Sequence, residues 1–295
     1  MSGTPMPNTA MDLFAPMRFL DFGVRLGTNY FRLRSQICTP IQQGPYIKWV
    51  DRPDSAITVA GLVADINVRF CLEDVLDMPE HINRTIHTVL DRGTTAAYKQ
   101  LKKESVVMLE RGEITAVNSA VAVQKLLQLC AGTVYDANGE AIDVTGERYE
   151  LVLELVAERS HSIVAFSWKH QLTRLIAEAE KRGVSWCAIQ AKDSPTKRAE
   201  TVRMFQAGAR QVLFAHPKTA SHGLTLTKAS AVIWCSPTWS SEAYLQFNQR
   251  HYRAGQTKRT EVINIAAANT WEESVYERLG QKIDKQQSLL EVLTT

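Results

Sequence analysis

From residue 147 onward, short apolar runs alternate with longer segments whose apolar residues recur every three or four positions. In order, this predicts a helix over 148–159, a strand over 163–167, a helix over 169–182, a strand over 185–190, a helix over 196–207 and a strand over 211–215. After a turn at 221–223, it predicts a strand over 231–235, a helix over 241–253 and a strand over 261–266. Short strands alternating with helices of about ten to fifteen residues build a parallel sheet with helices on both faces. A last helix opens at Thr270–Trp271–Glu272–Glu273, which has the form of a capping box. Its apolar positions Val275, Leu279, Ile283, Leu289 and Leu290 would brace the lobe or the helical region.

The first half reads differently. Helical spacing is found over 12–21 and over 29–37, the second rich in arginine. Pro40, Gly44, Pro45 and Pro53 mark loops or an irregular crossover. From 94 to 130 the apolar positions Tyr98, Leu101, Val107, Leu109, Val121, Leu126 and Leu129 predict two packed helices broken near Gly112. Asn138–Gly139 then falls between two short β-prone runs, the local signal of a hairpin. This divides the chain into residues 1–55, a helical insertion with a small hairpin over 56–147, and an α/β lobe with its bracing helix over 148–295.

Composition narrows this picture only a little. A chain of 295 residues with 45% hydrophobic content can bury real cores. No apolar run has the length of a membrane span and no signal peptide is evident, so a cytoplasmic protein without membrane partners is expected. The five cysteines are scattered without C-x-x-C spacing, which points to reduced, buried thiols and no metal site. Net charge is only +3, but residues 163–268 hold fifteen Lys and Arg against six Asp and Glu. The basic excess therefore sits in the α/β half.

The chemistry concentrates in 245–256. Gln246, Arg250, Arg253, Gly255 and Gln256 follow the order Q-x-x-x-R-x-x-R-x-G-Q. On one helix face, two guanidiniums and an amide would converge, and guanidinium forms bidentate bonds to phosphate oxygens. An exposed helix making surface salt bridges is the plainer use of the same residues. The spacing resembles motif VI of superfamily-two helicases, and the Gly255–Gln256 ending resembles that of the SWI/SNF-type ATPases. Residues 221–229 are similar to motif V, with Ser221 in place of a glycine and Thr225 in place of asparagine. Residues 161–167 are similar to motif IV, and Arg198 and Phe205 match the R-x-x-x-x-x-x-F helix between them. Residues 2–8, with Gly3 and Thr4, look like a remnant of motif III, and 70–80 resemble a later family segment in which Cys71 and Leu72 replace arginines.

The resemblance implies one RecA-like parallel-sheet lobe, the second helicase lobe, after a mainly helical region like the SWI/SNF protrusions. In that family, nucleotide lies between two lobes, and the Walker lysine and acidic metal ligand belong to the first. This sequence contains no G-x-x-x-x-G-K-[ST] and no Asp-Glu pair following an apolar strand. ATP and Mg would thus be held mainly by a Walker A and B lobe on another polypeptide, and the chain would not be active alone. Arg253 would be the arginine finger, with Arg250 beside it and Gln246 orienting the pair. Gly223, Gly255 and Gln256 would couple nucleotide state to lobe closure. Lys218, Thr219, Ser221 and His222 would contact the backbone of branched or double-stranded DNA, and Trp168 either stacks on a base or is buried. Motifs IV, V and VI would gather beyond the carboxyl ends of the strands. Residues 1–8 would be mobile or docked on a partner. Compact helicases of this type occur in tailed phages, which would place the protein in a host cytoplasm. Two other readings stay open: a non-catalytic nucleic-acid-binding module, and a piece of a longer enzyme.

Overall fold

The computed structural model describes residues 6, 8–68, 70, 72–110, 116–135, 141–220 and 223–292. The chain divides into two compact units, Met1–Val75 with Leu279–Thr295, and Leu76–Arg278.

The first unit opens with a 3-10 turn at Ala10–Leu13, followed by α1 (Phe14–Asp21), α2 (Tyr30–Ile37), β1 (Cys38–Gln43), β2 (Tyr46–Asp51), α3 (Ser55–Val63) and α4 (Leu72–Val75). The Asn29 side chain caps α2 by accepting from the Phe31 and Arg32 amides. Met11, Leu13, Phe14, Met17, Leu33, Ile37, Val59 and Val63 form its core. The segment expected to be loop or crossover is instead an antiparallel hairpin, with Gln43 opposite Tyr46. Gly44, at φ +60, makes the tight turn, and Pro40 sits on a two-stranded ribbon where a missing donor is tolerated.

In the second unit β3 (His81–Thr88) precedes α5 (Arg92–Glu110), α6 (Ala116–Cys130) and the hairpin of β4 (Thr133–Tyr135) and β5 (Ala141–Asp143). The expected break at Gly112 and the Asn138–Gly139 turn lie outside the described residues. Then come α7 (Glu147–Ala157), β6 (Ser162–Ala165), α8 (Lys169–Lys181), β7 (Trp186–Ile189), α9 (Pro195–Gln206), β8 (Val212–Ala215), α10 (Pro217–Ala220), β9 (Ala231–Trp234), α11 (Ser241–Asn248), β10 (Thr260–Ala267) and α12 (Trp271–Val292). Among the described residues six strands form one parallel sheet in the order β3-β10-β9-β6-β8-β7. β6, β8 and β9 are buried at every position, as central parallel strands covered on both faces must be.

Two sequence expectations change here. β3 lies in the segment expected to be helical, yet pairs with β10 along its whole length. It is an edge strand in which Ile82 and Ile86 stand apart among His, Asn, Arg and Thr, so its pattern lacks the apolar run that reveals the central strands. α11 ends at Asn248, so Arg250 and Arg253 stand on the turn after the helix, not on its face.

Candidate functional site

Because α11 connects two parallel neighbours, β9 and β10, it returns the chain from the carboxyl ends of the strands to their amino ends. The arginines that follow it therefore lie on the amino side. This corrects the expectation that motifs IV, V and VI gather beyond the carboxyl ends. The motif V segment makes the same crossing: it leaves β8 at Ala215, and its Leu226 amide donates to the Arg250 carbonyl at 2.8 Å before β9 begins.

The turn bearing the arginines is held from the core. His251, between them, has no exposed surface, and its Nδ1 lies 2.7 Å from the Asn248 carbonyl oxygen. The Asn248 amide oxygen in turn accepts from Trp234 Nε1 at 2.9 Å, which ties the turn to β9. Gly255, at φ +91, takes the left-handed conformation that closes the turn. The two guanidiniums then converge on one acceptor. Arg253 donates to the Leu224 carbonyl at 3.1 Å and Arg250 to the same oxygen at 3.4 Å. Burial, and next the neighbouring charge of Arg253, lower the pKa of Arg250. Two cations facing one neutral carbonyl form a place where an anion is favoured by both.

Gln256 is buried at 6% exposure and bridges the two motif segments. Its Nε2 donates to the carbonyls of Thr227, Ala229 and His251 at 3.1, 3.0 and 2.9 Å. Its Oε1 accepts from the Thr257 and Lys258 amides, both at 3.0 Å. Gly223, in the motif V segment, has φ +68. Gln246, on α11, donates to Glu242 one helical turn back at 2.9 Å, rather than to the arginine turn.

A second feature lies at the carboxyl ends. A mostly apolar groove of about 640 Å³ is lined by residues including Trp168, Lys218, Thr238, Trp239, Trp271 and Arg278. Trp168, half-buried, stacks on the His170 ring with planes 9° apart. Lys218 is exposed and Thr219 half-buried on α10. Trp239 is 41% exposed. The structure thus brings Arg250, Arg253, Gly255 and Gln256 together with motif V, and places Trp168 and Lys218 along the groove. Ser221, His222, Gly3 and Thr4 lie outside the described residues.

Gln171 escaped sequence reasoning. With no exposed surface, its Oε1 accepts from the Ser167 amide at 2.8 Å and its Nε2 donates to Ser236 Oγ at 2.7 Å, joining the loops after β6 and β9. A glutamine in the first turn of α8 was its only signal.

Residues 147–255 match the family model of the helicase conserved C-terminal domain. Putative protein p41 of Acyrthosiphon pisum secondary endosymbiont phage 1 is 29% identical over 99% of this chain and 64% of its own length. The ISWI chromatin-remodeling complex ATPase ISW2 of Saccharomyces cerevisiae is 24% identical over 99% of the chain and 27% of its own length. Over residues 147–255 the lobe is similar to the helicase conserved C-terminal domain, and the chain as a whole is similar to SNF2-family ATPases of the ISWI kind. Its RecA-like fold is similar to the solved C-terminal part of the Fun30 ATPase domain, with a TM-score of 0.55 and 12% identity over 74% of this chain and 97% of that one. The chain spans less than two thirds of the length of the curated relatives named here. No helix among the described residues is long and apolar enough to cross a membrane.

Proposed function

We propose that this chain supplies the second lobe of an ATP-dependent DNA helicase or translocase, completed by a first lobe bearing the Walker motifs. The observation that carries this reading is the pair of guanidiniums on the Leu224 carbonyl, fixed by a turn anchored in the core. A charge-stabilising arginine acts only if it is already in place when charge develops on the transferred phosphoryl group. Arg253 is the finger in this reading, and Arg250 raises the local positive potential. The residues here fit the phosphate end of ATP. They do not fit Mg, since no group of three His, Cys, Asp or Glu among the described residues could hold a metal. The first lobe would supply that site.

The groove at the carboxyl ends supports the nucleic-acid half of the proposal. An exposed lysine beside half-exposed indoles suits a phosphate backbone with stackable bases. The matched relatives include a chromatin-remodeling ATPase, which agrees with a DNA substrate.

ATP hydrolysis by the chain combined with a Walker-bearing first lobe, with and without branched DNA, tests this directly. DNA should stimulate turnover, and Arg253→Ala should lower it by about 10³–10⁵ while leaving DNA affinity near wild type. Salt-sensitive DNA binding with no turnover in any combination would instead identify a non-catalytic binding module.

A further inference from the structure

The first unit exposes large apolar side chains, close together in sequence, that its own core leaves unused. Phe19, Leu20, Phe22 and Val24 are 84%, 67%, 85% and 80% exposed, and Phe31 on α2 is 67% exposed. Single exposed apolar residues need no explanation, but a dense group of them marks an interaction site.

The turn that carries them is braced. The Asp21 carboxylate accepts from the Gly23 amide at 2.9 Å and the Arg25 amide at 3.2 Å, and pairs with the Arg25 guanidinium at 3.2 Å. That guanidinium also grips Asp65 with two parallel bonds, Nε at 2.8 Å and Nη2 at 2.5 Å. At Gly23, φ +87, a Cβ would lie 2.8 Å from the Gly27 carbonyl oxygen, so only glycine fits. Phe22 itself has φ +57, the left-handed conformation that ends helices and that glycine usually takes. The chain therefore holds a strained, solvent-facing phenylalanine at the tip of a rigid turn.

Charge indicates what the cluster meets. Residues 14–37 contain four arginines, Arg18, Arg25, Arg32 and Arg34, against one acid, Asp21, which is engaged by Arg25. Arg18 and Arg32 are exposed. The Arg34 guanidinium lies over the Phe31 ring at 5.1 Å and the Trp49 ring at 4.3 Å. A purely apolar partner would match the rings and leave the arginines desolvated. Nucleic acid matches both, because bases stack on aromatic side chains and phosphates pair with arginine. Apolar side chains held rigidly are also what part base steps.

We propose that the turn braced by Asp21 and Arg25 is a wedge for unpaired bases at a DNA junction. Phe22 and Phe19 stack on the exposed base, and Arg18 and Arg32 hold the neighbouring phosphates. This rests on the DNA-motor reading above and adds to it a substrate class, a fork or frayed end in place of continuous duplex.

The test is binding of the full chain to a fork carrying 2-aminopurine at the junction, compared with a blunt duplex of the same sequence. Wild type should prefer the fork and change the 2-aminopurine emission. Phe22→Gly preserves the left-handed backbone and should melt no lower than wild type. It should nevertheless lose about tenfold in fork affinity, together with the emission change, while duplex affinity stays put. Phe19→Ala should act in the same direction. Unchanged fork binding and emission in both variants would overturn the wedge and leave the motor reading intact. Failure of wild type to bind either DNA at low salt would sink both. Variants that lose only self-association would assign the patch to a second copy of the chain and also overturn the wedge.

Discussion

Gln256 shows how much one side chain can fix. Its amide satisfies three carbonyls and two amides drawn from both motif segments, so the arginine turn and the motif V crossing share one fastening. Replacing it by leucine takes this donor away from the buried Ala229 and His251 carbonyls, at a cost on the order of 3 kcal/mol. Gln256→Glu should be at least as damaging near neutral pH, since a carboxylate would face three carbonyl oxygens in a buried site. Urea unfolding of the two variants measures this, and wild-type midpoints for both would show that the bridge contributes nothing. The sequence singled out Gln256 by its position in a motif. It could not show the bridge, because a contact between residues 256 and 227 through side-chain amide and backbone leaves no periodic trace.

Among the elements, α7 and α12 are tied by a pair that sequence reasoning passed over. Arg148, 4% exposed, donates to the Cys235 carbonyl at 2.7 Å and to the Glu272 carboxylate at 2.5 Å. Glu272 has no exposed surface, and its Oε2 also accepts from the Ala267 amide at 2.7 Å. In the sequence Glu272 stands in the first turn of a helix, where an acid is ordinarily a solvated complement to the helix dipole. Here it joins the ends of β9 and β10 to two helices. Glu272→Ala should cost about 3–5 kcal/mol by stranding a buried guanidinium, whereas the double replacement Arg148→Met with Glu272→Leu should recover most of the loss. Equal midpoints for the single and double variants in chemical denaturation would refute that account. The same contrast explains which elements were legible. β6, β8 and β9 are apolar on both faces and announce themselves; β3, polar and at the edge, is defined only by its partner β10. The end of α11 was equally hidden, because Arg250 and Arg253 keep helical spacing in a segment where His251 turns inward and the helix has stopped.

At the scale of the whole molecule, the buried histidines set how stability responds to pH. Burial lowers the pKa of His251 to about 4 from 6.5, opposed slightly by its bond to the Asn248 carbonyl, and burial lowers that of His170 to about 4 as well. Both rings are neutral in the fold, while the unfolded chain takes up a proton at each below pH 6.5. Stability is therefore complete above that pH and drains as pH falls from 6.5 towards 4, by at most about 1.4 kcal/mol per pH unit for each ring. Urea midpoints across this range should fall steeply, and His251→Asn should remove one ring's share of the slope. A slope indifferent to that substitution would mean that His251 is not the titrating group. The consequence reaches the proposed chemistry, since His251 is also the anchor of the arginine turn. Any loss of turnover between pH 6.5 and 5 should therefore track the melting of the anchor.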